Sequence, residues 1–147
     1  MIIQTPFGTA WAAIGPVGAL EAFGFGHPPV TANPHSPAVA RQIAEYCQGI
    51  RTSFELDLNP RGSEFQKRVW AELVKIPYGQ TITYAELAQR VGATGAARAV
   101  GRANATNPIA LVVPCHRVIG VNGSLTGYAY GIELKRRLLD WEMERAV

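Results

Sequence analysis

The sequence predicts an α+β protein, with a small sheet and one helix at the N-terminal end and a mainly helical remainder. Three observations carry that reading. The first twenty-five or so residues form short extended runs broken by turn residues. From Ser63 onward apolar residues recur three and four apart. Two serine or threonine capping boxes stand at the start of such stretches. With 147 residues, 48% of them hydrophobic, the chain can bury a core without a disulfide or metal staple. Its two cysteines, Cys47 and Cys115, cannot form a disulfide framework and point to a reducing compartment. No run of apolar residues is long enough to span a bilayer, and the N-terminus lacks a basic segment ahead of an apolar one. A cytoplasmic protein with no membrane partner is therefore expected.

IIQTPFG and TAWAAIG read as strands around turns, and ALEAFGFG as a third. HPPVTANPHS reads as a loop, because its prolines cannot donate ladder hydrogen bonds. Ser36-Pro37 is a helix start, with Val39, Ile43 and Tyr46 or Cys47 as the apolar stripe. FELDLNPRG, residues 54–62, reads as an extended strand ending in a turn. Here the chain divides into an N-terminal α/β domain, residues 1–54, and a C-terminal domain, residues 55–147.

The C-terminal domain opens on the Ser63/Gln66 capping box, followed by Phe65, Val69, Leu73 and Ile76 on one helix face. That helix stops before Pro77. PYGQTIT is a turn, and the Thr83/Glu86 box opens TYAELAQRVG. GAARAVGRANAT forms the next helix, so the two short helices have the pattern of a helix-turn-helix. PIALVVPCHRVIG is an apolar run leading into a loop, and NGSLTGYAYG is a glycine-rich loop. IELKRRLLDWEMER closes the chain as a helix with Leu134, Leu138 and Trp141 on one face.

Charge is unevenly spread. The net charge is +3, yet residues 1–60 carry two basic and four acidic groups. No acidic residue falls between Glu86 and Glu133, an interval that holds Arg90, Arg98, Arg102 and Arg117. Such a stretch suits a polyanion partner, or is a chance gap in a Gly/Ala-rich region. In the helix around Gly101, five alanines (96, 97, 99, 103, 105) leave a shaved surface, with Arg98 and Arg102 one turn apart. Small residues allow close approach to DNA, with the arginines on phosphates or bases. The same pattern also fits a tightly packed helix whose arginines reach back to water.

Pro114-Cys115-His116-Arg117 is the one segment that looks chemical. A thiol is mostly protonated near neutrality, so a nucleophilic Cys115 needs a base, and His116 adjoins it. Glu142 could orient that base. Against this stands the ordinary inert cysteine of an apolar run. His27, His35 and Cys47 fit no standard zinc spacing, so no metal is expected.

PCHRVIG, then NGSLTGYAYG, then a helix containing LLDWE closely resembles the active-site region of the O6-alkylguanine-DNA alkyltransferases; YGQTITYAELA and ARAVGRANATNP fit the same family. The resemblance covers residues 55–146 and rests on several motifs in order. For the fold it implies a small ribonuclease-H-like N-terminal part and a helix-turn-helix in the C-terminal domain. For function it implies irreversible transfer of an alkyl group from O6 of guanine in DNA, more weakly from O4 of thymine, to the protein's own cysteine. No cofactor is needed. The implied nucleophile is Cys115, with His116 relaying its proton through a water and Glu142 holding His116. Tyr84 would bond guanine N3, and Asn107 would brace the active-site turn. The carbonyls of Cys115 and Val118 would read the exocyclic amine, the Ala129 amide would face O6, and Tyr128 would wall the pocket. Arg98 would fill the stack vacated by a flipped base, with Arg102 and Lys135 as further substrate- or DNA-binding residues. The implied partner is double-stranded DNA, entered from the minor groove by a monomer, although a reading from the helix pair alone favours the major groove.

Tyr130 stands where many members of that family have a small residue, and Ala110 where some have a proline. Bulky adducts such as benzyl are therefore expected to react less well than methyl. Three other functions compete. A catalytically silent lesion-binding relative would replace Cys115. A plain helix-turn-helix regulator leaves PCHR unexplained. A cysteine hydrolase must turn over.

Overall fold

The computed structural model describes residues 1–28 and 34–146. They pack as two compact units: Met1–Arg61 with Pro108–Val112, and Gly62–Asn107 with Val113–Val147.

In the first unit, β1 (Ile2–Thr5), β2 (Gly8–Ile14) and β3 (Leu20–Phe25) form an antiparallel sheet in the order β1-β2-β3. Register runs Ile2 to Trp11 and Ala12 to Phe23, with an irregularity between Ala13 and Ile14. Helix α1 (Pro37–Cys47) starts as expected, the Ser36 side chain accepting from the Val39 N–H. Such a cap contributes about 1 kcal/mol. Val39, Ile43 and Tyr46 are buried on its inner face, while Cys47 is only half-buried. The expected loop at residues 27–36 lies partly outside the described residues.

The strand expected over residues 54–62 reduces to a single parallel bridge, Leu20 to Leu58. The cause is a side chain. Gln42 of α1 takes both polar groups of Glu55, Nε2 donating to its carbonyl at 3.0 Å and Oε1 accepting its N–H at 2.8 Å. Pro60, lacking an N–H, ends what remains. Because Leu20 bonds Asp57 and Asn59, this segment packs with the sheet. The packing divides after Arg61. Ile109 likewise bridges to Phe23, which assigns Pro108–Val112 to the first unit.

In the second unit, α2 (Glu64–Leu73) carries the full capping box, with Ser63 and Gln66 bonded reciprocally. It ends one turn earlier than expected, although Ile76 remains buried. Trp70 donates from Nε1 to the Ala103 carbonyl at 2.8 Å, tying α2 to α4 (Ala97–Ala105). Helix α3 (Tyr84–Arg90) has only half of its expected box. Thr83 accepts from the Glu86 N–H, but the Glu86 carboxylate pairs with Arg90 at 3.5 Å. A short parallel pair that the sequence does not announce joins β4 (Ile82–Thr83) to β5 (Val118–Ile119). Helix α5 (Ile132–Arg145) buries Lys135, Leu138, Leu139 and Glu142. The expected face with Leu134 and Trp141 is thus rotated, and two charged residues point inward. Among the described residues no helix is long and apolar enough to cross a membrane.

Candidate active site

Cys115 opens a 3-10 turn, Cys115–Arg117, directly ahead of β5. Two asparagines near the end of α4 hold that turn. Asn107 Nδ2 donates to the Val113 carbonyl at 2.8 Å, and Asn104 Nδ2 donates to the Cys115 carbonyl at 3.2 Å. The Val118 N–H bonds the same Cys115 carbonyl, so that oxygen already accepts two hydrogen bonds.

His116 and Glu142 are both fully buried, with Nε2 and Oε2 2.8 Å apart. Arg117 grips the same carboxylate twice, Nε to Oε1 at 2.8 Å and Nη2 to Oε2 at 3.0 Å, while its Nη1 donates to the Ile76 carbonyl at 2.6 Å. Burial pushes the Glu142 carboxyl up, but His116 and Arg117 outweigh it and hold the group well below the usual carboxylate range. An ionised Glu142 only accepts hydrogen bonds, so His116 Nε2 must carry the hydrogen. Burial also drives the His116 pKa down, against the pull of Glu142, so the ring is neutral near pH 7. The basic lone pair then sits on Nδ1. That atom is buried and has no hydrogen-bond partner among the described residues.

Cys115 is 5% exposed. Burial raises its thiol pKa, with Asn107 and Lys135 pulling the other way. The resting sulfur is therefore a thiol that needs an adjacent base before it can attack. The groups gathered here are a thiol, an imidazole bonded to a carboxylate, and an arginine fixing that carboxylate.

A family model for the 6-O-methylguanine DNA methyltransferase DNA binding domain matches residues 64–144, a span that contains every group just described. The chain belongs to this family. A methylated-DNA–protein-cysteine methyltransferase of Mycobacterium bovis is 56% identical over 105 residues, 71% of this chain and 64% of that relative. The alignment thus spans a little under two thirds of that relative's length. The crystal structure of the Mycobacterium tuberculosis O6-methylguanine methyltransferase is similar at TM-score 0.90 and 44% identity, covering 99% of this chain and 93% of that one. The Mycobacterium tuberculosis OGT structure in complex with DNA is similar at TM-score 0.88 and 45% identity, covering 99% and 92%.

The remaining family positions fall in two groups. On α4, Arg98 and Arg102 are exposed and line a cleft of about 520 Å³ with Tyr84, Gly101, Thr126 and Gly127. The Tyr84 hydroxyl donates to the Thr126 carbonyl at 3.0 Å. Gly127 is held at φ +72°, and a Cβ there would stand 3.1 Å from that hydroxyl, so a glycine is needed on both counts. Tyr128 is buried beside Tyr130, ring centroids 5.8 Å apart, and its hydroxyl has no partner among the described residues. Ala129 is exposed in the turn before α5, and Val118 is fully buried in β5.

Lys135, expected among the substrate- and DNA-binding residues, is fully buried and donates from Nζ to the Thr126 carbonyl at 2.8 Å. Ala110 is buried in the first unit with its N–H on the Phe23 carbonyl. His27 and His35 are exposed, and among the described residues no three His, Cys, Asp or Glu gather as metal ligands would. Burial alone pushes the Cys47 thiol up to about 11.

Sequence reasoning passed over Arg117 and Asn104. The first was visible as a cation in an acid-free stretch and as the last residue of the Pro114–Arg117 segment, with no role assigned, the second only as a polar residue in an alanine-rich helix. Their partners lie 25 and 11 residues away, beyond any helical or strand period.

Proposed function

We propose that this protein repairs O6-alkylguanine in DNA by moving the alkyl group irreversibly onto Cys115, with O4-alkylthymine as a weaker substrate. The observation that carries the reading is the buried series Cys115, His116, Glu142, with the basic Nδ1 of His116 left without a protein partner. His116 Nδ1 takes the Sγ proton through one water. The thiolate attacks the alkyl carbon on O6, a C–S bond forms, and the C–O bond breaks with its electron pair leaving on the guanine. Tyr84 then delivers a proton toward N3, for which its hydroxyl must leave the Thr126 carbonyl. The product is a thioether, which water does not reverse, so each chain acts once and no cofactor takes part.

DNA is the proposed partner, and a relative's structure in complex with DNA supports it. The target atom lies inside the duplex, so the base is flipped. In this reading α3 and α4 work as a helix-turn-helix, with α4 entering the minor groove of double-stranded DNA on its alanine face. Arg98 fills the vacated stack, Arg102 contacts the backbone, and the Ala129 amide and Val118 carbonyl read the base. Asn107 braces the nucleophile's turn. The first unit is read as a ribonuclease-H-like sheet-and-helix part. A monomer completes the proposal, acting in the cytoplasm and at the nucleoid if the source is bacterial or archaeal.

The test is intact mass after incubation with O6-methylguanine duplex. One added methylene on Cys115, absent in Cys115→Ala, is expected. Tight lesion binding without mass gain would instead make the protein a silent lesion binder, and turnover would make it a hydrolase.

A further inference from the structure

Helix α4 buries Val100, Ala103 and Asn104, and turns Ala97, Gly101 and Ala105 toward the cleft. Asn104 is the polar member of the buried set and lies one turn beyond Gly101. It is 2% exposed. Its Nδ2 donates to the Cys115 carbonyl at 3.2 Å, and its Oδ1 is buried with no hydrogen-bond partner among the described residues. The Cys115 carbonyl can only accept, which fixes the amide with its nitrogen toward that oxygen. The nearby donors are committed elsewhere. Tyr84, whose ring would stand 3.8 Å from a Cβ on Gly101, gives its hydroxyl hydrogen to the Thr126 carbonyl. The Val118 N–H goes to the Cys115 carbonyl. A buried acceptor left without a donor is costly and calls for an explanation.

We propose that Asn104 Oδ1 accepts an N–H of the exocyclic amine of the flipped guanine, which makes Asn104 a specificity-determining residue favouring O6-alkylguanine over O4-alkylthymine. The inference rests on the repair reading, with Cys115 at the alkyl carbon and Tyr84 at N3. Along the edge of guanine the order is O6, N1, the amine on C2, and N3. A base held at O6 by Cys115 and at N3 by Tyr84 therefore has its amine between those two residues. Asn104 joins the same two: it bonds the Cys115 carbonyl, and it follows by one turn the glycine on which the Tyr84 ring lies.

The amine has two hydrogens and needs two acceptors. The Val118 carbonyl takes one in the repair reading. The Cys115 carbonyl already accepts from Asn104 and from the Val118 N–H, one donor for each lone pair. The acceptor still open beside it is Asn104 Oδ1. On O4-alkylthymine a carbonyl oxygen, O2, stands where guanine has the amine. Protein acceptors would then face a third acceptor with no hydrogen between them, so the thymine lesion is rejected by repulsion as well as by a lost bond.

The test is the rate of methyl transfer to Cys115 from duplexes carrying O6-methylguanine, O6-methylhypoxanthine, which has a hydrogen in place of the amine, or O4-methylthymine. The unaltered protein is compared with Asn104→Leu and Asn104→Asp. Loss of the tether to the Cys115 carbonyl slows all three lesions alike, so the ratios of rates are the readout. In Asn104→Leu the guanine-over-hypoxanthine ratio is expected to fall about tenfold, and the guanine-over-thymine ratio by at least as much. Asn104→Asp keeps an acceptor oxygen and should retain most of both preferences. If Asn104→Leu does not fold, Cys115→Ala saturated with DNA decides: the side-chain carbonyl 13C resonance of Asn104 should move further with the O6-methylguanine duplex than with the O6-methylhypoxanthine duplex. Unchanged ratios in Asn104→Leu, or equal shifts with the two duplexes, would overturn the proposal and leave the repair reading standing. No methyl transfer to the unaltered protein from any of the three would sink the repair reading and this inference with it.

Discussion

Arg117 and Glu142 form a two-pronged ion pair, 2.8 Å from Nε to Oε1 and 3.0 Å from Nη2 to Oε2, with both side chains withdrawn from water. The pair decides the protonation pattern of the site. Because the carboxylate stays ionised, His116 carries its hydrogen on Nε2 and keeps Nδ1 as a base.

Arg117→Met should therefore do more than remove a salt bridge. It takes the guanidinium from the buried Glu142 carboxylate, and strips the Ile76 carbonyl of a donor. Breaking one side of a buried pair costs about 3–5 kcal/mol. A fall of that size in the urea unfolding free energy is expected, with slower alkyl transfer.

Acid should act on the same cluster in two steps. The folded His116 titrates below its ordinary value of 6.5, so between the two values the unfolded chain binds more protons. Stability should thus decline as pH drops below about 6.5. Glu142, also lowered from its ordinary 4.5, contributes stability above that value that is lost as pH falls through its folded pKa. Thermal melts across this range should show both steps, and His116→Gln should remove the first.

Asn104→Leu tests the carbonyl of Cys115. The substitution keeps the side chain's shape but leaves a buried acceptor with one bond fewer, which costs about 1–3 kcal/mol. The predicted signature is a lower Tm together with slower alkylation of Cys115, since the turn that carries the sulfur loses one of its two asparagine tethers.

Arg98→Ala separates base flipping from chemistry. Arg98 is exposed on α4 and far in role from the buried series. Repair of duplex DNA should slow by tenfold or so, the worth of a lost contact of about 1–2 kcal/mol. Reaction with free O6-benzylguanine should be unchanged. Equal losses would overturn the proposed stack-filling role of Arg98.

Tyr130→Gly addresses adduct size. Tyr130 packs edge-on against Tyr128, and burial raises the pKa of its phenol. Opening that rim should raise the labelling rate with O6-benzylguanine more than with O6-methylguanine. An equal change for both would show that Tyr130 does not set size.

How much of this was legible beforehand depended on range. The helix starts at Ser36, Ser63 and Thr83 were readable because a cap is a contact between residues three apart. The order Cys115, His116, Glu142 was readable as candidate chemistry, because cysteine, imidazole and carboxylate have few other reasons to meet. The 54–62 strand was misread because the backbone groups of Glu55 go to the side chain of Gln42, which leaves only the single bridge at Leu58. The face of α5 was misread because hydrophobic periodicity assumes that charges point outward.

The sequence by itself determined the local helix signals, the three-strand pattern and the identity of the groups able to react, since these are properties of residue type and near neighbours. Only the tertiary structure decided that Arg117 fixes Glu142, that Asn104 caps the Cys115 carbonyl, and that Lys135 is buried. Electrostatic pairing and burial depend on distance through space. A charge buried without an anion, as Lys135 is, has no periodic signature to read along the chain.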